Sequence, residues 1–91
     1  MVESVRDNPE RSRFELETGG LLAFATYRRS GSTLMLPHVE AAPALRGKGA
    51  ADRLMRGVME IARREGLRVV PLCSYASAWM RRHREFNDLL A

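Results

Sequence analysis

Six consecutive residues, Arg46-Gly47-Lys48-Gly49-Ala50-Ala51, place two glycines and two cations directly ahead of a segment with helical periodicity. Glycine lets a backbone turn tightly and approach a ligand closely, and the first N–H groups of a helix lack internal partners and lie at the positive end of its dipole. Together these make a seat for a pyrophosphate or similar anion, although the same glycines serve equally well as a plain tight turn into a helix. The loop is not a Walker A motif, because Gly-x-x-x-x-Gly-Lys-Ser/Thr is absent, and the third glycine of a dinucleotide fingerprint is missing. Three further groups have reactive chemistry. His38 and Glu40 are two apart on a strand, hence on one face beside the loop, and either suits a general base; both suit a structural hydrogen bond at an exposed strand end. Cys73 stands between a strand and a helix start, where a thiol is activated, yet free cysteine is also a common buried apolar residue. Tyr75 brings a phenol to the second helix, where it reads equally as a core aromatic. Trp79, four residues on, reads as packing, and His83 as a cap near the helix end.

The elements that must position these groups follow from periodicity. Strands are expected at about 2–7, 11–18, 20–29 and 32–41, with a turn at Asn8-Pro9 and a break at Thr18-Gly19-Gly20. In the second strand Phe14 and Leu16 share one face and charges the other, whereas Leu21 to Tyr27 reads as a central strand buried on both faces. Pro37 has no N–H for a ladder, so regular pairing should fail near the end of the fourth strand. The period then changes. Ala50/Ala51, Leu54, Val58 and Ile61/Ala62 recur at helical spacing with charges between them, predicting one amphipathic helix over 47–65 that ends at Gly66. A strand at 67–73 follows, reached by a crossover, then a helix at 75–83 with Ser74 as its N-cap, and a tail that packs back or frays. The fold class is α/β of the α+β kind, a mixed, mostly antiparallel sheet in the order β-β-β-β-α-β-α. Residues 1–91 are expected to form a single domain.

Composition narrows the function classes. Hydrophobic residues at 45% and charged residues at 29% describe an ordinary globular chain. The longest apolar stretch is far short of a membrane span and no signal pattern opens the chain, so a cytoplasmic protein with no membrane association is expected. One cysteine and two histidines argue against a metal site. The net charge of +4 lies wholly in residues 38–91, and within 44–56 Arg46, Lys48, Arg53 and Arg56 face only Asp52. That suggests a polyanionic or phosphorylated ligand. Nucleic acid is disfavoured, since aromatic residues are not interleaved with the cations and Asp52, Glu60 and Glu65 interrupt the basic helix.

The joint pattern resembles the GNAT (GCN5-related) N-acetyltransferase family, in particular its short single-domain branch. It is carried by His38-Val39-Glu40 ending a strand, Arg46-Gly47-Lys48-Gly49-Ala50-Ala51 opening the main helix, Val70-Pro71-Leu72-Cys73-Ser74-Tyr75, and His83 followed by Glu85, Phe86, Asp88 and Leu89. The resemblance implies acetyl-CoA as co-substrate, with its pyrophosphate on Arg46, Gly47, Lys48, Gly49, Ala50 and Ala51, and its pantetheine arm paired with the backbone near Val39 and Ala41. It implies transfer of acetyl to an amine, on a small molecule or a lysine, with Cys73, Glu40, Tyr75 and His38 as candidate catalytic groups. Two departures stand out. Ala44 replaces the Gln or Arg usual three positions before the first glycine, and Arg84-Glu85-Phe86 replaces a Pro-Glu-Tyr common in the branch. The alternative is a non-catalytic module that binds CoA or acetyl-CoA and docks to a partner. A monomer or weak dimer fits either reading.

Overall fold

A computed structural model describes residues 4–91. Five strands, β1 (Arg6–Asn8), β2 (Arg13–Thr18), β3 (Leu21–Ser30), β4 (Thr33–Ala41) and β5 (Arg68–Pro71), form one sheet in sequential order. The first four pair antiparallel and β5 runs parallel to β4. Helix α1 (Ala50–Glu65) is the crossover between β4 and β5, and α2 (Ser74–Arg82) follows β5. This is the expected element order, with local differences, among them that the strand expected over 67–73 is only Arg68–Pro71, since Leu72 and Cys73 both turn to the Leu36 carbonyl. Of the strand expected over 2–7, positions 2 and 3 lie outside the described residues, and pairing begins only at Arg6. The second strand starts at Arg13 because Pro9–Arg11 forms a 3-10 turn capped by Asn8, with Ser12 in the left-handed region closing it. Helix α1 starts at Ala50, three residues later than expected, because Gly47 and Gly49 are both left-handed, at φ 79° and 78°. The N-cap of α2 is Cys73 rather than Ser74, its Sγ accepting the Ala76 N–H at 3.3 Å.

Both helices pack on one face of the sheet. Phe14, Leu16, Ala23, Ala25, Leu34 and Leu36 of that face are buried against Leu54, Val58 and Ala62 of α1 and against Trp79 and Met80 of α2. Met55 and Met59 are buried as well, widening the apolar stripe of α1 beyond the residues its periodicity picks out. Gly57 sits in mid-helix at a cost of about 1 kcal/mol relative to alanine. Its lack of a Cβ lets Val5 lie on the helix, where an added methyl group would overlap Val5 Cγ2. The tail packs back: Arg84–Leu89 forms a 3-10 helix, Leu89 is buried, Arg63 pairs with Asp88 at 2.6 Å, and Ala91 donates to the Val69 carbonyl.

The opposite face carries no helix among the described residues, which corrects the expectation that β3 is buried on both sides. Ala23, Ala25 and Tyr27 point into the core, while Leu22, Phe24 and Thr26 on the open face are only half-buried. Side chains on the open face cover each other instead. Glu15, 7% exposed, accepts from Arg13 Nε at 2.6 Å and Asn8 Nδ2 at 3.0 Å, and the Arg13 guanidinium lies 4.5 Å from the centre of the Phe24 ring. The hydrogen bond from Arg13 is the main cause holding the Glu15 carboxyl below the usual range, opposed by burial and aided by Asn8. A carboxyl depressed in the folded state stabilises above its unfolded pKa, and that stability is lost as pH falls through the folded value. Glu15→Gln should therefore melt at a temperature that declines less steeply than wild type below about pH 4.3, the ordinary glutamate value. Parallel slopes in calorimetric melts would contradict this.

Candidate functional site

The sheet forks at Leu36. Two residues of β4, Leu36 and Pro37, stand opposite Tyr27, because the register with β3 shifts by one between Thr26 and Arg28. This is a bulge, at the residue that has no N–H to give. On the other side, β5 leaves β4 at the pair Leu36 and Pro71, and the N–H groups of Leu72 and Cys73 both reach the Leu36 carbonyl, at 3.0 and 3.3 Å. From there the last residues of β4 pair only with β3. Ala42 N donates to Leu22 O, so Glu40 and His38, two and four residues earlier, also turn their backbone groups toward β3. Val39 and Ala41 turn theirs to the vacated edge.

A 3-10 turn, Pro43–Leu45, carries the chain from this edge to the glycine loop. Gly49 is the N-cap of α1 and has no side chain to cap it, so the opening amides of the helix are left to a ligand or water. Among the described residues no backbone carbonyl takes the N–H groups of Gly47, Gly49, Ala50, Ala51 or Asp52. The Lys48 carbonyl accepts Arg53 Nη1 at 2.9 Å. The loop, the strand end and α2 enclose a cleft of about 280 Å³ lined by Ala41, Leu45, Arg46, Gly47, Gly49, Ala50, Ala51, Asp52 and Tyr75. Burial, and then the negative charge of Asp52, raise the Tyr75 phenol above its ordinary value, so it holds its proton at neutral pH.

The fold thus brings Ala41, Arg46, Gly47, Gly49, Ala50, Ala51 and Tyr75 to one cleft. Val39 and Lys48 lie outside its walls, and so does Cys73, a half-buried residue whose sulfur caps α2. His38 and Glu40 are on the open face of the sheet, with His38 Nε2 2.9 Å from Glu40 Oε1 and each side chain about half exposed, at 55% and 52%. The alternation of the strand puts them across the sheet from the cleft rather than beside the loop. Leu45 and Asp52 are wall residues the sequence reading did not select. Leu45 is buried in the short turn, which has no periodicity to reveal it. Asp52 had a signal, as the one acid among the cations of residues 44–56.

Unpaired loop amides, the last residue of a vacated strand edge and a phenol thus line one cleft. The sequence model of the GCN5-related N-acetyl-transferase family matches residues 13–89, and the chain belongs to that family. It is therefore an acyltransferase of the class that moves acetyl groups, and acetyl-CoA is the donor the family uses in general. The solution NMR structure of a GCN5-like protein from Staphylococcus aureus is similar to this chain with a TM-score of 0.75, covering 97% of this chain and 87% of the other at 22% identity. That likeness concerns the fold. No curated protein matches the chain. No described helix is long and apolar enough to cross a membrane, and no three His, Cys, Asp or Glu side chains among the described residues converge as metal ligands.

Proposed function

We propose that residues 1–91 act as one cytoplasmic domain that transfers acetyl from acetyl-CoA to an amine, on a small molecule or an exposed lysine. The observation that carries this reading is the fork: loop amides and the free edge of β4 lead from an anion seat to the point where β4 and β5 part. The residues present suit the donor. Amides of Gly47, Gly49, Ala50 and Ala51, with Arg46 beside them, would hold the pyrophosphate, and the backbone of Val39 and Ala41 would hold the amide-bearing arm as an added strand does. When bound, acetyl-CoA supplies an activated acyl group on sulfur. Tyr75, kept protonated, stands on the cleft wall as the donor for a departing thiolate.

The acceptor amine arrives from the open face. His38 and Glu40 follow the fork immediately in sequence and form an exposed pair there, so either can take the ammonium proton before attack. Direct attack needs no sulfur intermediate, and Cys73 Sγ is already engaged as the cap of α2. A non-catalytic module would need no base on that face, so the His38–Glu40 pair favours the enzyme.

Adjacent prolines test the edge. Ala41→Pro removes an N–H that no strand uses, whereas Glu40→Pro removes one directed at β3. Ala41→Pro should stay folded and bind acetyl-CoA about tenfold more weakly, the worth of one hydrogen bond, while Glu40→Pro should lose much of its stability. Calorimetric titration with a matching circular dichroism melt reads both. Wild-type protein that takes up no acetyl-CoA at millimolar concentration would sink the reading. Binding without thiol release across a broad amine panel would favour the docking module instead.

A further inference from the structure

The two walls of the cleft meet through a part-buried polar contact. Asp52, in the first turn of α1, accepts the indole N–H of Trp79 on Oδ1 at 2.8 Å. Oδ2 accepts Arg56 Nε at 3.2 Å. His83 stacks on the Trp79 ring at 3.9 Å between centroids, with Nε2 3.5 Å from Asp52 Oδ1. Trp79 is 1% exposed, so its N–H is shielded from water and Asp52 is its partner. The bond links the residue three positions after Gly49 to the residue four positions after Tyr75. Residues four apart share a helix face, so the contact spans the loop wall and the phenol wall directly.

The charge of Asp52 is otherwise misplaced. A carboxylate on the wall of an anion seat repels the anion, and burial alone would push its pKa up. Hydrogen bonds from Trp79 and Arg56, with the nearby Arg56 and His83, outweigh burial and hold the carboxyl below the usual range. A group kept ionised where its charge opposes ligand binding needs a different role, and the geometry supplies one. We propose that Asp52 is a positioning residue, tying the first turn of α1 to α2 through Trp79 and so fixing the separation of the glycine loop from the Tyr75 hydroxyl. The proposal rests on the acetyl-CoA reading above.

The test compares acetyl-CoA binding by calorimetry in wild type, Asp52→Ala, Asp52→Asn and Trp79→Phe, each checked for folding by circular dichroism. Asparagine keeps an oxygen for the indole and removes the charge; phenylalanine keeps a ring and removes the donor. Asp52→Ala and Trp79→Phe should each bind about tenfold more weakly, because the cleft is no longer preorganised, and the double variant should be no weaker than either. Asp52→Asn should bind within about threefold of wild type or tighter, since the repulsion has gone while the bond stays. Trp79 is the single tryptophan, so its emission gives a second readout. Acetyl-CoA should shift that emission in wild type and Asp52→Asn, and not in Asp52→Ala. Should Asp52→Ala fail to fold, Trp79→Phe and Asp52→Asn carry the comparison. Binding equal in all variants, or Asp52→Asn as weak as Asp52→Ala, would overturn the positioning role alone. A wild type that binds no acetyl-CoA would retire the cofactor reading and this proposal with it.

Discussion

Gly49→Val is expected to weaken acetyl-CoA binding about 30-fold or more, while the same substitution at Gly66 leaves binding unchanged. Both glycines flank α1 in the left-handed region, at φ 78° and 70°. A side chain in that conformation costs about 1–2 kcal/mol, and a branched one at Cβ fits worst. Each variant should therefore melt several degrees below wild type, at roughly 4–8 °C per kcal/mol for a domain of this size. The difference lies in what relaxation of the strain would move. At Gly66 it would disturb a cap whose N–H already bonds the carbonyls of Ala62 and Arg63, remote from the cleft. At Gly49 it would rotate the peptide units on which the free amides depend, and a Cβ there already touches Arg53 Nη1 at 3.4 Å. Losing two aligned donors to a charged ligand costs about 2 kcal/mol or more, which is the 30-fold. Paired titrations and melts separate the two effects. Equal loss of binding in both variants would mean that α1 responds as a whole and that the loop is no special seat.

Trp79→Ala should be the most destabilising single change at the cleft. Trp79 heads the fully buried side chains by size, wedged between the helices and stacked on His83 and Phe86 at 3.9 and 5.6 Å. Truncating a buried tryptophan costs about 3–5 kcal/mol. A chain of this length is stable by roughly 5–14 kcal/mol in total. The variant should thus unfold at a markedly lower urea concentration with an unchanged m-value, and at the weaker end of that range it would be largely unfolded at 37 °C. Trp79→Phe keeps most of the ring and should lose far less, which separates packing from the indole hydrogen bond. A midpoint for Trp79→Ala within experimental error of wild type would show that the helices do not depend on this contact.

The difference between these two residues mirrors what was legible in the sequence. Gly47 and Gly49 announce themselves by type and by their place ahead of a helical period, since an anion seat of this kind is built from consecutive residues. Trp79 was legible as packing from its spacing to Tyr75, but its hydrogen bond to Asp52 joins residues 27 apart and has no local signature. The same holds for the open face. Alternation put His38 and Glu40 on one side of β4, yet whether a helix covers that side is a property of how α1 and α2 are routed.

The sequence by itself determined the element order, the crossover, the loop and the bulge at Pro37, because each depends on short-range rules: period, turn chemistry, and a missing N–H. Tertiary structure alone decided that Cys73 caps α2, that His38 and Glu40 lie across the sheet from the cleft, and that Asp52 meets Trp79. Those outcomes depend on side-chain burial and strand divergence at Leu36, where the N–H groups of Leu72 and Cys73 converge on one carbonyl from 36 and 37 residues away and set the geometry of everything beyond.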